Sequence, residues 1–207
     1  MSAEFISIHP DNPQPRFIHK ACDILKQGGV GVVPTDSAYA LCCTLGDKSA
    51  MERIAHIRQV SKKHNFTLLC RDLSELSTYA KVENSVFRLL KNNTPGPYTF
   101  ILPATKEVPR RLMNEKRRTI GIRVPQGAII KALLAEFSEP LMSCSLILPE
   151  HVEPESDPVE INDKIGSIID VIVDGGVLLP EPTTVIRFEE GQPVVRRIGR
   201  GDPSPFQ

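Results

Sequence analysis

The chain has 207 residues, with 25 Lys and Arg against 25 Asp and Glu, and 41% of its residues are hydrophobic. A zero formal charge excludes an acidic tail protein and a histone-like peptide, and the apolar content excludes a disordered chain. The zero hides an asymmetry. Residues 1–148 carry 20 basic and 13 acidic side chains, whereas residues 149–207 carry 5 and 12, a split that hints at an anionic partner.

Composition sets further bounds. No apolar run approaches the ~18–20 residues needed to span a bilayer. The start, MSAEFISIHPDNPQ, lacks a basic segment followed by an apolar stretch, so no secretory signal is expected. The cysteines Cys22, Cys42, Cys43, Cys70 and Cys144 are odd in number and form no C-x-x-C. They read as reduced thiols of a cytoplasmic protein, neither a disulfide framework nor a zinc site. The absence of Trp disfavours an aromatic platform for single strands.

In chain order, FISIH (5–9) predicts a short strand. Phe17, Ala21, Ile24 and Leu25 fall at helical spacing within 13–27, and Gly28-Gly29 stops that helix. VGVVP (30–34) is a β-branched run that reads as a buried strand, followed by a turn-rich segment, TDSAYAL. Asp47 is placed to cap a helix through Arg58. FTLLC (66–70) is the next strand, and two helical stretches bracket Glu83-Asn84. PGP (95–97) breaks the chain before the strand YTFIL (98–102). KEVPRRLMNEKRR (106–118) is helical or irregular, TIGIRV (119–124) a strand, 127–137 a helix, and PLMSCSLIL (140–148) a strand leading into a loop. Residues 150–163 hold six acids and no Lys or Arg. A helix, the strand DVIVD (170–174) and a hairpin of TTVIRF and PVVRRI complete the chain. Strands alternating with helices predict one α/β domain over 1–207, and the closing hairpin makes its sheet mixed.

The phosphate loop G-x-x-x-x-G-K-[ST] is absent, and Gly28, Gly29 and Gly31 lie between a helix and a strand, the reverse of a phosphate-loop order. Thr35 and Ser37 follow a buried strand, where ligands of open α/β sheets bind, or they close a turn on their own backbone. Arg58, Arg123 and Arg197 sit among apolar or structured neighbours. Either they pair with internal acids or they line an anion site. Residues 53–131 hold 16 basic and 5 acidic side chains, and Arg110, Arg111, Lys116, Arg117 and Arg118 form the densest basic cluster, a candidate RNA contact or a solvated face. The five histidines show no spacing toward a serine nucleophile, G-x-S-x-G is missing, and Cys144 reads as inert core.

GGVGVVPTDSAYAL, IRQVSKKHNFTLLC, TPGPYTFIL, TIGIRVP, PLMSCSL, EPTTVI and PVVRRIG occur in the order seen in YrdC-like proteins, over about residues 14–200. The chain thus resembles the threonylcarbamoyl-adenylate synthases and their relatives, and within them the YciO branch. The resemblance implies a twisted mixed sheet flanked by helices, with a large basic concave cavity. It implies a nucleotidyltransfer that joins ATP, L-threonine and bicarbonate into threonylcarbamoyl-AMP and pyrophosphate for the t6A modification of tRNA. ATP would be a substrate, with Mg²⁺ carried by its phosphates and no protein-bound metal. By the same resemblance, Thr35, Arg123, Ser143 and Thr184 contact the amino acid, while Arg58, Ser145 and Arg197 face the nucleotide, with Arg58 and Ser145 nearest the reaction.

Several positions depart from the family pattern. Arg58 replaces a lysine, Val60 a second cation, Ile147 an amide, Asp36 a glutamate and Ala40 a glycine. Lys62 and Lys63 are nearby cations that could compensate. Losing one charge-stabilising contact costs ~10²–10³ in rate, so the expectation is a weak or redirected activity. The alternative is a non-catalytic factor of the same fold that binds tRNA or double-stranded RNA or associates with ribosomes. A sensor of a nucleotide or other small molecule in the same cavity is a third reading.

Overall fold

The computed structural model describes residues 2–61, 64–114 and 116–207. Lys62 and Lys63, the cations near Val60, lie outside them. The elements are β1 (Glu4–Ser7), α1 (Pro15–Lys26), β2 (Gly31–Pro34), β3 (Tyr39–Thr44), α2 (Lys48–Arg58), β4 (Thr67–Leu69), α3 (Leu73–Tyr79), α4 (Asn84–Asn93) and β5 (Tyr98–Pro103). They continue with β6 (Thr119–Arg123), α5 (Ala128–Phe137), β7 (Leu141–Ser145), α6 (Pro158–Ile165), β8 (Val171–Asp174), β9 (Thr184–Glu189) and β10 (Gln192–Arg197).

Local chemistry accounts for several boundaries. Gly28 takes φ +87°, a left-handed conformation open to glycine, just beyond α1. The Asp47 carboxylate accepts the Ala50 N–H at 2.9 Å and caps α2. At the other end of α2, Gln59 is left-handed and the Val60 N–H returns to the Ala55 carbonyl, so Val60 is part of a helix stop. Among its described residues, the charged segment at 106–118 is irregular apart from one short 3₁₀ turn, Arg110–Leu112.

The TDSAYAL segment corrects the sequence reading. Its turn ends at Ala38, and Tyr39–Thr44 is strand β3, antiparallel to β2. The run YALCCT is buried on both faces except at its end. It therefore lacks the polar alternation that marks a half-buried strand.

Among the described residues, ten strands form one sheet in the order β1-β8-β2-β3-β7-β4-β6-β5-β9-β10. Pairings such as β1 with β8 and β4 with β6 are parallel, whereas β3 with β7 and β9 with β10 are antiparallel. The sheet is mixed, as the closing hairpin predicts. Among the described residues no helix is long and apolar enough to cross a membrane.

Strand periodicity separates two cores. Val32, Leu41, Leu68, Met142 and Ile172 face one side with residues of α2, α3, α4 and α6. Val33, Cys42, Leu69, Leu141 and Val171 face the other with residues of α1 and α5. The second layer covers the β1-β8-β2-β3 part of the sheet. Beyond β7, this second face carries polar side chains, and there the site forms.

Candidate functional site

The uncovered half of that face is the floor of a cavity of about 420 Å³. Alternate residues of successive strands supply it: Thr99 and Ile101 from β5, Thr119, Gly121 and Arg123 from β6, Ser143 and Ser145 from β7, and Val185 and Arg187 from β9. The intervening residues Phe100, Ile120, Ile122 and Ile186 are buried on the opposite face. One row crosses five strands in register, through Ser143, Thr67, Gly121, Ile101 and Arg187. Gly121 keeps the middle of that row low. A Cβ there would stand 3.1 Å from Thr67 Oγ1.

Six arginines line the cavity: Arg58, Arg117, Arg123, Arg187, Arg196 and Arg197. No Asp or Glu is among the described lining residues. Two of the six are neutralised from outside the lining. Arg123, buried in β6, donates from Nη2 to Asp36 Oδ1 at 2.5 Å. Arg187 pairs with Glu189 at 3.3 Å. Arg197 is oriented by uncharged acceptors: Nε and Nη2 donate to the Thr183 carbonyl at 3.1 and 3.0 Å. A register shift between Val195 and Arg197 brings both Arg196 and Arg197 to the cavity.

Arg123 is electrostatically perturbed. Burial lowers its pKa, Asp36 opposes that, and the cation of Arg197 lowers it further. Its Nε is buried with no hydrogen-bond partner. An arginine-lined cavity with no carboxylate among its described lining residues is suited to an incoming carboxylate or phosphate oxygen.

The residues singled out in the sequence divide clearly. Arg58, Arg123, Ser143, Ser145 and Arg197 converge on the cavity, although they come from four separate elements. Ile147 also lines it, whereas Val60 lies on a separate shallow groove with Gln59 and His56. Thr35 and Thr184 are outside the lining. The Thr35 hydroxyl donates to the Ala38 carbonyl at 2.6 Å and accepts from the Ser37 and Ala38 N–H groups, closing the turn that presents Asp36. Thr184 has the opposite strand parity to Val185. Its hydroxyl donates to the Gly201 carbonyl and accepts the Gly199 N–H at 2.9 Å, and its neighbour Thr183 reaches the cavity instead. Arg110, Arg111, Lys116, Arg117 and Arg118 are all exposed, and Arg117 also lines the cavity.

Sequence reading missed Thr67, Thr99, Thr119, His64, Arg187 and Arg196. A signal was present in TIGIR, where apolar residues alternate with Thr119, Gly121 and Arg123, but only strand order brings that face together with its neighbours. Cys144 lines the cavity too, with burial pushing its thiol up to about 11, so it stays protonated and unreactive at neutral pH.

A ten-stranded mixed sheet flanked by helices, with one half-face opened into an arginine-lined cavity, defines the α/β class of this protein. The Sua5_yciO_yrdC family, described as telomere recombination, matches residues 23–199, and the chain belongs to that family. It is 58% identical over 204 residues to an Escherichia coli K12 protein named uncharacterized protein YciO, covering 99% of each chain. The crystal structure of E. coli YciO superposes with a TM-score of 0.95, covering 99% of this chain and 100% of the other. More distantly, the chain is 30% identical over 156 residues to a threonylcarbamoyl-AMP synthase of Vibrio vulnificus, covering 74% and 83% of the two chains. The fold is shared with P. abyssi Sua5 crystallised with L-threonine, at 23% identity and a TM-score of 0.87, covering 95% of this chain and 58% of that one.

Proposed function

We propose that the cavity binds ATP and a small amino acid and joins them, through bicarbonate, into a carbamoyl adenylate. The observation that carries this reading is the arginine lining, with no carboxylate among its described residues. The similarity to a threonylcarbamoyl-AMP synthase supports threonine as the reference substrate.

In this reading the amine of threonine displaces water from bicarbonate, forming a carbamate. A carbamate oxygen then attacks the α-phosphorus of ATP, the bond to the β-phosphate oxygen breaks, and pyrophosphate leaves. Both reactants are anions, so the protein must hold them together against repulsion and stabilise the charge that builds on the leaving phosphates. Arg123, on the cavity floor, would turn its guanidinium to the amino-acid carboxylate. Ser143, whose hydroxyl donates to the Thr67 carbonyl at 3.1 Å, keeps acceptor capacity toward the amine. Arg58, Ser145 and Arg197, which also line the cavity, would face the phosphates. With no carboxylate in the described lining, Mg²⁺ would travel on the phosphates rather than on protein ligands. Ile147 puts an apolar side chain where the family pattern has an amide, so the rate is expected to be low.

The test is pyrophosphate release from ATP, threonine and bicarbonate by the wild type and an Arg123→Ala variant. Release by the wild type that falls at least about a hundredfold in the variant supports the reading. Equal release by both, or none from the wild type, overturns it.

The exposed cluster at Arg110, Arg111, Lys116, Arg117 and Arg118 favours a second reading, a surface for tRNA or duplex RNA. Its affinity would fall steeply between low and moderate salt. Salt-independent or undetectable binding would exclude it.

A further inference from the structure

Arg58 is held by groups that orient a guanidinium without cancelling its charge. Its Nε donates to the Ile147 carbonyl at 3.2 Å, and its Nη1 lies 3.2 Å from His64 Nε2. A guanidinium can only donate, so His64 Nε2 must accept, and the ring proton must sit on Nδ1. The ring is further fixed edge-on against the buried Phe66, with centroids 5.6 Å apart and planes at 86°. Burial and the neighbouring Arg58 both hold its pKa below the ordinary histidine value, which favours the neutral form the geometry requires.

We propose that His64 is the positioning residue for Arg58, a neutral acceptor that aims its guanidinium into the cavity while leaving the full positive charge available to phosphate. The proposal rests on the adenylate-forming reading of the cavity. The contrast with Arg123 and Arg187 supports it. Those two arginines are braced by carboxylates, Asp36 and Glu189, which fix them at the expense of net charge. Arg58 and Arg197 are braced by carbonyls, a hydroxyl and an imidazole. The cavity thus holds two kinds of arginine. The charge-retaining pair suits the phosphates, whose negative charge rises as pyrophosphate departs.

Two nuclear magnetic resonance signals of the full-length, ligand-free protein test the contact itself. A long-range ¹H–¹⁵N spectrum is expected to show His64 protonated at Nδ1 and bare at Nε2, and an Nε2–H tautomer would overturn the proposal. The Arg58 Nη1–H signal is expected to be sharp in the wild type and in His64→Gln, whose amide oxygen can accept, and broadened in His64→Ala. A sharp signal in all three proteins would overturn it.

Kinetics then test the role. His64→Ala is expected to lower kcat for pyrophosphate release at least about tenfold, the scale seen for partners that orient a functional group. The KM for ATP should stay within about threefold, and His64→Gln should recover most of kcat. An unchanged kcat in His64→Ala, or a loss confined to KM, would overturn the role. A wild type that releases no pyrophosphate would sink the reading of the cavity, and the proposal would then stand or fall on the two resonance signals.

Discussion

The ion pair between Asp36 and Arg123 joins the β2–β3 turn to the cavity floor. Both side chains are about nine-tenths buried, and the Asp36 carboxylate also accepts the Gln126 N–H at 2.8 Å. Asp36→Asn keeps the shape but removes the charge, and its single carbonyl oxygen cannot serve both donors as the carboxylate does. Breaking a buried pair from one side leaves an uncompensated charge, at about 3–5 kcal/mol. The retained acceptor places this variant near the lower bound, about 3 kcal/mol. For a chain of this length that corresponds to a fall of about 6–12 °C in Tm. The assay is urea unfolding of the wild type, Asp36→Asn, Arg123→Met and the double variant. Removing both charges relieves the penalty, so the double variant should recover at least about 2 kcal/mol relative to the sum of the single changes. Sulfate should stabilise Asp36→Asn more than the wild type, because an anion can replace the missing carboxylate. A single-variant loss below about 1 kcal/mol, with additive effects in the double variant, would refute the reasoning.

Other consequences follow from local geometry. Gly121→Val should lower ATP affinity at least about tenfold, or 1.4 kcal/mol, by calorimetry. Its melting should stay near that of the wild type, because the nearest atoms to the added Cβ are side-chain atoms of Thr67 and Thr99 at 3.1 and 3.5 Å, and the Phe66 carbonyl lies at 3.8 Å, an ordinary contact. Asp47→Ala removes the α2 cap and should cost about 1 kcal/mol, a drop of about 2–4 °C in a thermal melt. His64 is held below its ordinary value of 6.5 in the fold, so the unfolded chain takes up the proton first. Its contribution to stability is present above about pH 6.5 and is lost as pH falls through the folded-state value. Urea midpoints measured from pH 7.5 down to 5 should therefore decline less in His64→Gln than in the wild type.

Much of the fold was legible because its local signals were unambiguous. Asp47 before an amphipathic run, Gly28 after one, and β-branched runs ending at Pro34 or preceding Gly127 each encode a boundary within a few residues. β3 was missed for the opposite reason. A strand buried on both faces offers no alternation, and the turn residues Thr35 to Ser37 dominated the reading of that segment.

The site was legible only as a list. The excess of cations between residues 53 and 131 and the motifs that resemble the family can be read from the chain without its fold, because charge and motif are properties of composition and order. Tertiary structure decided how those cations are used. Strand parity sends Thr183 into the cavity and Thr184 away from it. Strand order places Ser143 and Gly121 on either side of Thr67. Arg123 finds its carboxylate 87 residues away, and Arg58 finds a neutral imidazole. Such choices depend on which strands are neighbours and which half-face the helices leave bare, and neither is fixed by any local run of residues.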